Sequence, residues 1–393
     1  MTERSHLLIG DIAKVLYAPR KAFQNIIQNP RLLAPILVLI MFTAAQLLGS
    51  YAVLSKSYLE ESQPTGQSGD IWTENATFWK ADSGVTISNN HADFINGSYY
   101  GNSSIQFAGS NSSQLLIRIP NLGQSLNCSP GGFGNLSIRV KIITPQMDPV
   151  NISIYLYSLN SSSFRYDLTQ PFSGVGAGVW NNITIPVGSG NWISSGQSAS
   201  WGNITGVEMD FAWSSSSSIT LRVDGLFLRG FFESPLEISA PTYIADAFQS
   251  AFTRFIMEWL ILTALTYVMI KIFKGDITWK PLMMAVGIAL MAIVVQAFVT
   301  IVIVQTTLPT LYYTFDYFAG VPGEVEQAAQ ALSNSISLFY EFNTALQIAV
   351  YAWIFALDAI IVRTITAFEW KRSVVVAAAS LLSTIVLGLL LGF

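Results

Sequence analysis

Five long apolar stretches constrain the fold of this chain more than any other feature of its sequence. A membrane-spanning helix needs roughly 20 apolar residues, because it rises about 1.5 Å per residue through a hydrocarbon layer about 30 Å thick. The predicted spans cover residues 32–54, 252–273, 282–304, 344–362 and 374–393. We therefore predict a multi-domain membrane protein built on a five-helix transmembrane bundle.

Composition agrees with this prediction and argues against several classes of site. The chain is 51% hydrophobic and 11% charged, whereas a soluble globular chain carries about 25% charged residues. It has one cysteine, Cys128, and two histidines that are far apart in sequence, so a clustered Cys/His metal site is not expected. The sequence has no basic stripe of the kind that binds nucleic acid. We expect no nucleic-acid partner and no cofactor, except for the calcium ion considered below.

Lysine and arginine residues predict how the helices cross the membrane. They occur before the first span, between the second and third, and between the fourth and fifth, whereas the segment 305–342 has none. Because positive residues are retained on the cytoplasmic side, the amino terminus is predicted to be cytoplasmic. The carboxyl terminus and the long segment after the first span are then extracytoplasmic. Tyr312 and Phe315 follow the third span, where we expect an outer aromatic belt.

The segment 63–234 has a different composition, dominated by serine, asparagine and glycine. Apolar and polar residues alternate in several short runs, which predicts half-buried strands. These runs cover residues 136–142, 152–156, 183–187, 207–211 and 219–223. Short strands separated by turn residues are typical of a sandwich or jelly roll. The predicted organisation is a cytoplasmic amphipathic segment (1–31), the first span (32–54), an extracytoplasmic all-β sandwich (63–234), and spans two to five (252–393) with an external loop (305–342).

All ten Asn-x-Ser/Thr sequons of the chain fall within this β domain. Their asparagines are Asn75, Asn96, Asn102, Asn111, Asn127, Asn135, Asn151, Asn160, Asn182 and Asn203. Chance would give a few such motifs in a segment rich in serine and asparagine, but their restriction to the predicted external side favours N-glycosylation. An exported domain with one cysteine also lacks the disulfides usual in secreted animal proteins. Together these features favour an archaeal cell surface.

The membrane part resembles the Yip-domain family of Ypt/Rab-interacting membrane proteins. Three stretches carry the resemblance: Pro19 to Phe23 before the first span, Ile270 to Lys280 between the second and third, and Trp353 to Arg372 around the last cytoplasmic hairpin. The resemblance implies a five-span topology and a non-enzymatic role in membrane organisation or trafficking. In eukaryotic members it also implies GTPase partners of the Rab type, a pattern from which the large external insertion departs.

The β domain resembles jelly rolls of the carbohydrate-binding-module type. The resemblance is carried by residues 178–186, by 204–211 and by 219–227, which contains Val223-Asp224-Gly225. The match is to a superfold and by itself does not imply a function. We hypothesise surface glycans or envelope proteins as partners of this domain. Trp192 and Trp201 lie in polar, glycine-containing surroundings, and if exposed they would stack on sugar rings. Asp224 is a candidate ligand for a structural calcium ion, which prefers oxygen donors, although a simple turn aspartate is the alternative.

Two further sets of charged residues are candidate sites. Glu208 and Asp210 are predicted to share one strand face about 6.6 Å apart, a spacing compatible with an inverting glycosidase pair or with a solvated strand face. Arg254 and Glu258 are one helical turn apart and can pair within the second span. Asp358 and Arg363 lie near the inner end of the fourth span. Because charges in spans are costly, these residues form structural ion pairs, extend their charged ends to the membrane interface, or belong to a proton or ion path.

The predicted cytoplasmic surface consists of the amphipathic segment and two short hairpins. Candidate residues for binding a cytoplasmic protein are Phe23, Lys271, Trp279 and Trp370; the alternative is that they only anchor the helices in the lipid bilayer. We therefore predict a non-enzymatic membrane scaffold of the Yip-domain type that displays a glycosylated, glycan- or protein-binding sandwich. The alternatives are an ectoenzyme that acts on surface polysaccharide through Glu208 and Asp210, and a transporter of small solutes or ions.

Overall fold

The computed structural model divides the chain into two compact units. It describes residues 10, 13–65, 69–97, 100–159, 162–173, 176–188, 190–196, 198–318 and 322–391. The helical unit contains residues 1–57, 234–311 and 333–393, and the β unit contains residues 58–233 and 312–332.

Among the residues that the structure describes, five helices are long and apolar enough to cross a membrane. They belong to the helical unit, except that the first residues of the fourth, up to residue 332, belong to the β unit. A short amphipathic helix α1 (Pro19–Gln28) precedes the first of them. The five candidate spans are α2 (Leu33–Leu54), α5 (Pro235–Ile272), the pair α6 (Trp279–Ala289) and α7 (Met291–Thr307), α8 (Glu324–Thr366) and α9 (Trp370–Leu391). A short break at Leu290 separates α6 from α7.

Two of these helices begin well before the apolar stretches that indicated them. Helix α5 begins at Pro235, where Ser234 and Glu237 form a capping box, a signal that satisfies the free N–H groups of a helix start. Ser239 has non-helical backbone angles, so a kink separates this first turn from the rest of α5. Helix α8 begins at Glu324, inside the region predicted to be an external loop. Its first turns are rich in Glu, Gln and Ala, which are strong helix formers. Apolarity therefore marks the part of a helix suited to lipid, not the whole helix.

Close helix contacts in the helical unit depend on small residues. A Cβ atom at Gly287 of α6 would lie 2.6 Å from Nε1 of Trp259 and 2.7 Å from Cβ of Pro35. Glycine at this position therefore lets α6 approach both α2 and α5, as is common between membrane helices.

Lys56 caps the carboxyl end of α7: its Nζ donates to the carbonyls of Val304, Gln305 and Leu308 at 2.9, 3.1 and 2.7 Å.

In its described residues the β unit has eleven strands, two short α-helices and two turns of 3₁₀ helix, Ala76–Phe78 and Phe315–Phe318. The strands are β1 (Ser57–Gln63), β2 (Lys80–Ala81), β3 (Thr86–Asn90), β4 (Ser104–Ile119), β5 (Asn135–Thr144), β6 (Asn151–Tyr157), β7 (Ser163–Asp167), β8 (Trp180–Pro186), β9 (Ile193–Ser195), β10 (Gly206–Glu233) and β11 (Leu311–Tyr313). The helices are α3 (Ile71–Glu74) and α4 (Thr169–Phe172).

Two long strands, β4 and β10, run through both layers of this sandwich. The first part of β10 pairs with the end of β4 and with β6, and its later part pairs with the start of β4 and with β5. The first layer therefore has the order β2–β4–β10–β6–β7–β9, and the second contains β3–β4–β10–β5–β8. The sequence predicted two strands in place of β10; the serine run between them stays extended, with irregular register from Ala212 to Ile219.

Alternate residues of both layers point into one apolar core. Val207, Met209 and Phe211 from the first part of β10 lie in the same buried cluster as Leu221 and Val223 from its later part. The two layers thus enclose the core between them, which is the arrangement of a β-sandwich.

The segment 312–332 packs on the β strands within this unit. Phe315 is buried between Tyr100 and Phe227, with ring centroids 6.4 and 4.7 Å away. Arg229 joins the segment to the sheet, because its guanidinium lies 3.0 Å from Glu60 and 2.7 Å from Asp316. The prediction that Phe315 sits in an outer aromatic belt is therefore wrong: this ring is enclosed by protein.

Candidate functional site

The strand alternation of β10 places Glu208 and Asp210 on the outer face of the first layer. Val207, Met209 and Phe211 point into the core and are at most 1% exposed. Because successive side chains of a strand point to opposite faces, Glu208 and Asp210 point outward. The outward direction follows from the burial of their neighbours.

The pairing of β10 with β4 and β6 places an arginine and a tyrosine beside Glu208. Arg118 of β4 is its partner on one side and Tyr155 of β6 on the other. Tyr155 is in turn paired with Arg165 of β7. Directly paired residues of antiparallel strands point to the same face, so all four share the outer face. We call the six outward residues the outer-face cluster: Arg118, Tyr155, Tyr157, Arg165, Glu208 and Asp210.

Hydrogen bonds hold several members of the outer-face cluster in place. Arg165 donates through Nε and Nη2 to Oγ of Ser153, at 3.0 and 2.8 Å. The side-chain amide of Gln114 donates to Oδ1 of Asp210 at 2.8 Å. Nη1 of Arg118 lies 3.8 Å from Oε2 of Glu208. Arg165 and Asp210 are thus held by hydrogen bonds on the same face, and Arg118 forms an ion pair with Glu208.

Glu208 points away from the core but is only 6% exposed, because its neighbours on the outer face cover it. This burial changes the acid–base properties of Glu208 and of Tyr157. The pKa of Glu208 is raised above its ordinary value, mainly because the side chain is withdrawn from water, and the Tyr157 hydroxyl and Arg118 partly offset this rise. The pKa of Tyr157 is raised to about 12 by burial and by its hydrogen bond to Glu208. The Tyr157 hydroxyl therefore stays protonated at neutral pH and donates a hydrogen bond to Glu208.

The outer-face cluster combines the two kinds of contact that a sugar ring needs. Tyr155 and Tyr157 are half-buried, and aromatic rings provide flat apolar surface with a polar end. Arginine and carboxylate groups make charge-assisted hydrogen bonds of fixed geometry, which suits the closely spaced hydroxyls of a sugar. A small number of fixed polar groups beside apolar surface is the general composition of a ligand site.

The two tryptophans predicted to stack on sugars are less accessible than expected. Trp192 is only 8% exposed, and its Nε1 donates to the carbonyl of Pro186 at 2.8 Å. Trp201 is half-buried and stacks on Phe164 with ring centroids 3.8 Å apart. The expectation that Trp192 is exposed is therefore wrong, because polar sequence neighbours do not prevent an edge residue from turning inward. Glycan binding at Trp201 stays a prediction.

Asp224 lies in a buried pair of carboxyl groups. Its Oδ2 accepts from the Ile95 N–H at 2.6 Å and its Oδ1 from the Gly225 N–H at 2.8 Å. Burial raises the pKa of Asp224 to about 6, and burial together with Asp224 raises the pKa of the adjacent Asp70 well above its ordinary value. Thr73 donates to Asp70.

This pair departs from a typical calcium site. Both oxygens of Asp224 already accept backbone N–H groups, and such donors oppose a cation. Among the described residues, no group of three His, Cys, Asp or Glu side chains is arranged to hold a metal ion. A calcium ion at Asp224 stays a prediction.

Most of the predicted glycosylation sites are accessible. Six of the asparagines are exposed: Asn75, Asn96, Asn102, Asn111, Asn127 and Asn182. Asn135, Asn151 and Asn203 are half-buried. Asn160 lies outside the described residues. Glycosylation itself stays a prediction.

The charged residues of the helical unit fall into separate environments. Nε of Arg254 lies 2.9 Å from Oε1 of Glu258, so the pair expected from their spacing is present. Asp358 is fully buried, and the hydroxyl of Thr266 lies 3.3 Å from its Oδ2. Arg363 lies over the ring of Trp370, 4.3 Å from its centroid. Asp358 and Arg363 are thus not joined with each other in the described structure.

The predicted cytoplasmic surface is smaller than the sequence suggested. Phe23 is completely buried in the core of the helical unit, so it is not available to a partner; the apolar face of α1 packs inward. Trp279 and Trp370 are 41% and 49% exposed. Lys271 lies 3.6 Å from Asp276.

The two predicted hairpins pack on each other. A Cβ atom at Gly275 would lie 2.7 Å from the ring of Phe368, which explains why the first hairpin carries a glycine. Two of the stretches that resemble the Yip-domain family are therefore neighbours in space.

Four members of the outer-face cluster were not found from the sequence: Arg118, Tyr155, Tyr157 and Arg165. Tyr155 and Tyr157 alternate with the apolar residues of β6, so the alternation that predicted the strand also predicts their shared outward face. The sequence does not reveal that β6 pairs with β10 and β7, and this pairing brings the two tyrosines beside Glu208 and Arg165.

Comparison with known proteins gave matches to solved structures only. No family model and no curated protein matches the chain. A family 11 carbohydrate-binding module from Clostridium thermocellum, in complex with a mixed-linked tetrasaccharide, is 13% identical with a TM-score of 0.28, over 43% of this chain and 94% of the module. A family 30 carbohydrate-binding module of a cellulosomal cellulase from the same organism is 9% identical with a TM-score of 0.32, over 42% and 96%.

A third match is an enzyme. A β-1,2-glucanase from Parabacteroides distasonis is 15% identical with a TM-score of 0.28, over 40% of this chain and 24% of the enzyme. Identities and scores this low show no function for this chain. The resemblance to the Yip-domain family stays a prediction from sequence.

Proposed function

We propose that this chain is an integral membrane protein that binds glycans outside the cell through the outer-face cluster. The observation that carries the proposal is the register that places two tyrosines, two arginines and two carboxylates on one face of the sandwich. Five helices long and apolar enough to cross a membrane support the membrane anchor. The distribution of lysine and arginine supports an extracytoplasmic β unit.

The external sequons support the same orientation. Six of their asparagines are exposed, so attached glycans would not have to displace core residues. On this proposal the protein carries its own N-glycans and binds other glycans of the cell envelope. Envelope proteins that display such glycans are its expected partners.

The helical unit is proposed to have a non-enzymatic role as a scaffold of the Yip-domain type. The packing of Gly275 against Phe368 supports the idea that the two hairpins act as one surface. Trp279 and Trp370 are the exposed aromatic residues that a cytoplasmic protein would contact there. Phe23 is not part of this surface.

Glycan binding is tested on the purified full-length protein by affinity electrophoresis against mixed-linked β-glucan, xylan and laminarin. We expect at least one polysaccharide to retard the protein, and the double variant Tyr155→Ala/Tyr157→Ala to bind it at least about tenfold more weakly, as for aromatic residues that dominate a contact. Tyr340→Ala, which removes an exposed tyrosine of α8, is the matched control. Equal retardation of the double variant, or no retardation of the wild type by any of these polymers, would contradict the proposal.

The alternative of an ectoenzyme rests on one observation. The raised pKa of Glu208 is the property that a general acid needs, and Asp210 is on the same face. Incubation of the same polysaccharides with wild type and Glu208→Gln, followed by a reducing-sugar assay, separates the two functions. We expect binding without hydrolysis; hydrolysis that is lost in Glu208→Gln would establish the enzyme instead.

A further inference from the structure

A cavity of about 260 Å³ lies between α5, α8 and α9 of the helical unit. One part of its lining is polar and consists of Arg254, Glu258, Gln347, Tyr351 and Thr384. The rest is apolar, with leucine and isoleucine side chains from all three helices. A site that is polar on one side and apolar on the other fits a ligand that is itself amphiphilic.

The charges of the polar side determine which headgroup fits. Arg254 and Glu258 are paired through Nε and Oε1, so the lining is electrically neutral. A ligand with net charge would leave that charge unpaired in a partly buried apolar site, which is costly. A ligand that carries one charge of each sign adds no net charge.

Arg254 and Glu258 each have polar atoms that the ion pair does not use and that a ligand can bind. In the part of the chain that the structure describes, the terminal nitrogens of Arg254 and Oε2 of Glu258 have no hydrogen-bond partner. Two terminal nitrogens of a guanidinium match a phosphate in fork geometry, and a carboxylate oxygen accepts from an ammonium group. Gln347 donates to the Tyr351 hydroxyl at 3.4 Å beside them, which adds neutral polar groups.

The cavity communicates with the apolar outer surface of the helices. Leu389, part of its lining, is 81% exposed. It lies in the last turn of α9, a helix apolar enough to cross a membrane. A ligand can therefore enter with its apolar part directed toward the acyl chains of the bilayer.

We propose that this cavity binds the headgroup of a zwitterionic membrane lipid, with the phosphate at Arg254 and a primary ammonium at Glu258. The acyl chains lie along the apolar lining and continue past Leu389 into the bilayer. Binding of this kind would attach one lipid molecule between three helices of the scaffold. The inference concerns the helical unit and does not depend on glycan binding by the β unit.

The test uses full-length protein in nanodiscs made from equal parts of phosphatidylethanolamine and phosphatidylglycerol. The lipid retained after gentle release is identified by native mass spectrometry. We expect wild type to retain phosphatidylethanolamine, and Arg254→Gln/Glu258→Gln, which removes both charges, to retain it at least about tenfold less, since each charge-assisted hydrogen bond contributes a large share of affinity. Gly388→Leu, which places a side chain into the cavity lining, should lose the lipid without altering any charge.

Arg363→Gln is the matched control, because Arg363 lies outside the cavity lining and stacks on Trp370. It should retain the lipid as wild type does. Retention of phosphatidylglycerol, absence of any retained lipid in the wild type, or equal retention by the double variant would each overturn the proposal. Elution of every variant as a single species in gel filtration shows that loss of lipid is not loss of fold.

Discussion

Asp70 and Asp224 place two carboxyl groups together inside the β unit, at 0% and 1% exposure. Gly225 allows Asp224 to approach Asp70. The φ angle of Gly225 is +54°, and β10 bulges here, where its register with β5 shifts between Asp224 and Phe227. A Cβ atom there would lie 2.4 Å from the Tyr100 ring. The Val223-Asp224-Gly225 motif is thus explained by backbone geometry as much as by any ligand.

The carboxyl pair predicts a pH dependence of stability. The pKa of Asp224 is raised from 3.8 to about 6 in the folded protein, so the folded state holds the proton more tightly than the unfolded chain. Its contribution to stability is therefore complete below pH 3.8 and is lost as the pH rises through about 6. Asp70→Asn removes one carboxyl and allows an amide to donate to Asp224. We expect its melting temperature at pH 7 to rise by about 2–4 °C, equivalent to about 1 kcal/mol.

Thermal unfolding of the full-length protein with calcium or with a chelator completes this test. We expect the same melting temperature under both conditions. Stabilisation of the wild type by calcium that disappears in Asp70→Asn would instead support the calcium ion predicted at Asp224.

Gly287 shows how one helix position controls the packing of three helices. The distances from its Cβ position to Trp259 and Pro35 are too short for any side chain. We expect Gly287→Ala to lower the stability of the helical unit by about 1–3 kcal/mol, because an added methyl group must push packed groups apart. Helical circular dichroism during heating of the detergent-solubilised protein measures the effect.

Gly49→Ala is the matched control for this variant. Its Cβ atom would meet only Ile301, at an ordinary 3.7 Å. It should unfold at or above the wild-type temperature, because alanine is the better helix former. Equal unfolding temperatures for the two variants would mean that a methyl group at position 287 fits between Trp259 and Pro35, which would contradict the prediction.

At the level of elements, the sequence predicted which regions are helices and which are strands more successfully than where they end. Apolarity indicated the five long helices, but polar turns such as the start of α8 at Glu324 are held by helix propensity and carry no apolar signal. Alternation predicted the strand residues of β10 on both sides of its serine run. It could not show that the run stays extended, since serine is compatible with a loop.

For the candidate site, the sequence predicted contacts within one strand but not contacts between strands. Glu208 and Asp210 were predicted to share a face because that depends only on the two-residue period of one strand. Arg118, Tyr155 and Arg165 join them through pairing between strands that are distant in sequence. Trp192 was misjudged because its burial depends on Pro186 and Tyr166, which sequence proximity does not reveal.

The orientation of the whole molecule is open to direct labelling. Cys128 is the only cysteine and is buried, so a Cys128→Ala background accepts single reporters. We expect Ser215→Cys, an exposed position of β10, to react with an impermeant maleimide on intact cells. Asp276→Cys, at an exposed position between α5 and α6, should react only after permeabilisation. Reaction of Asp276→Cys on intact cells would reverse the proposed topology.

Strand β10 ends at Glu233, and α5 begins at Pro235 with a single residue between them. The strand that carries Glu208 and Asp210 is therefore also the strand that continues into a candidate membrane helix. A pull on a glycan bound at these carboxylates would travel along one extended chain and load β10 lengthwise. A force along the strand would load its hydrogen bonds to β4, β5 and β6 in parallel. These bonds would therefore have to break together and not one after another.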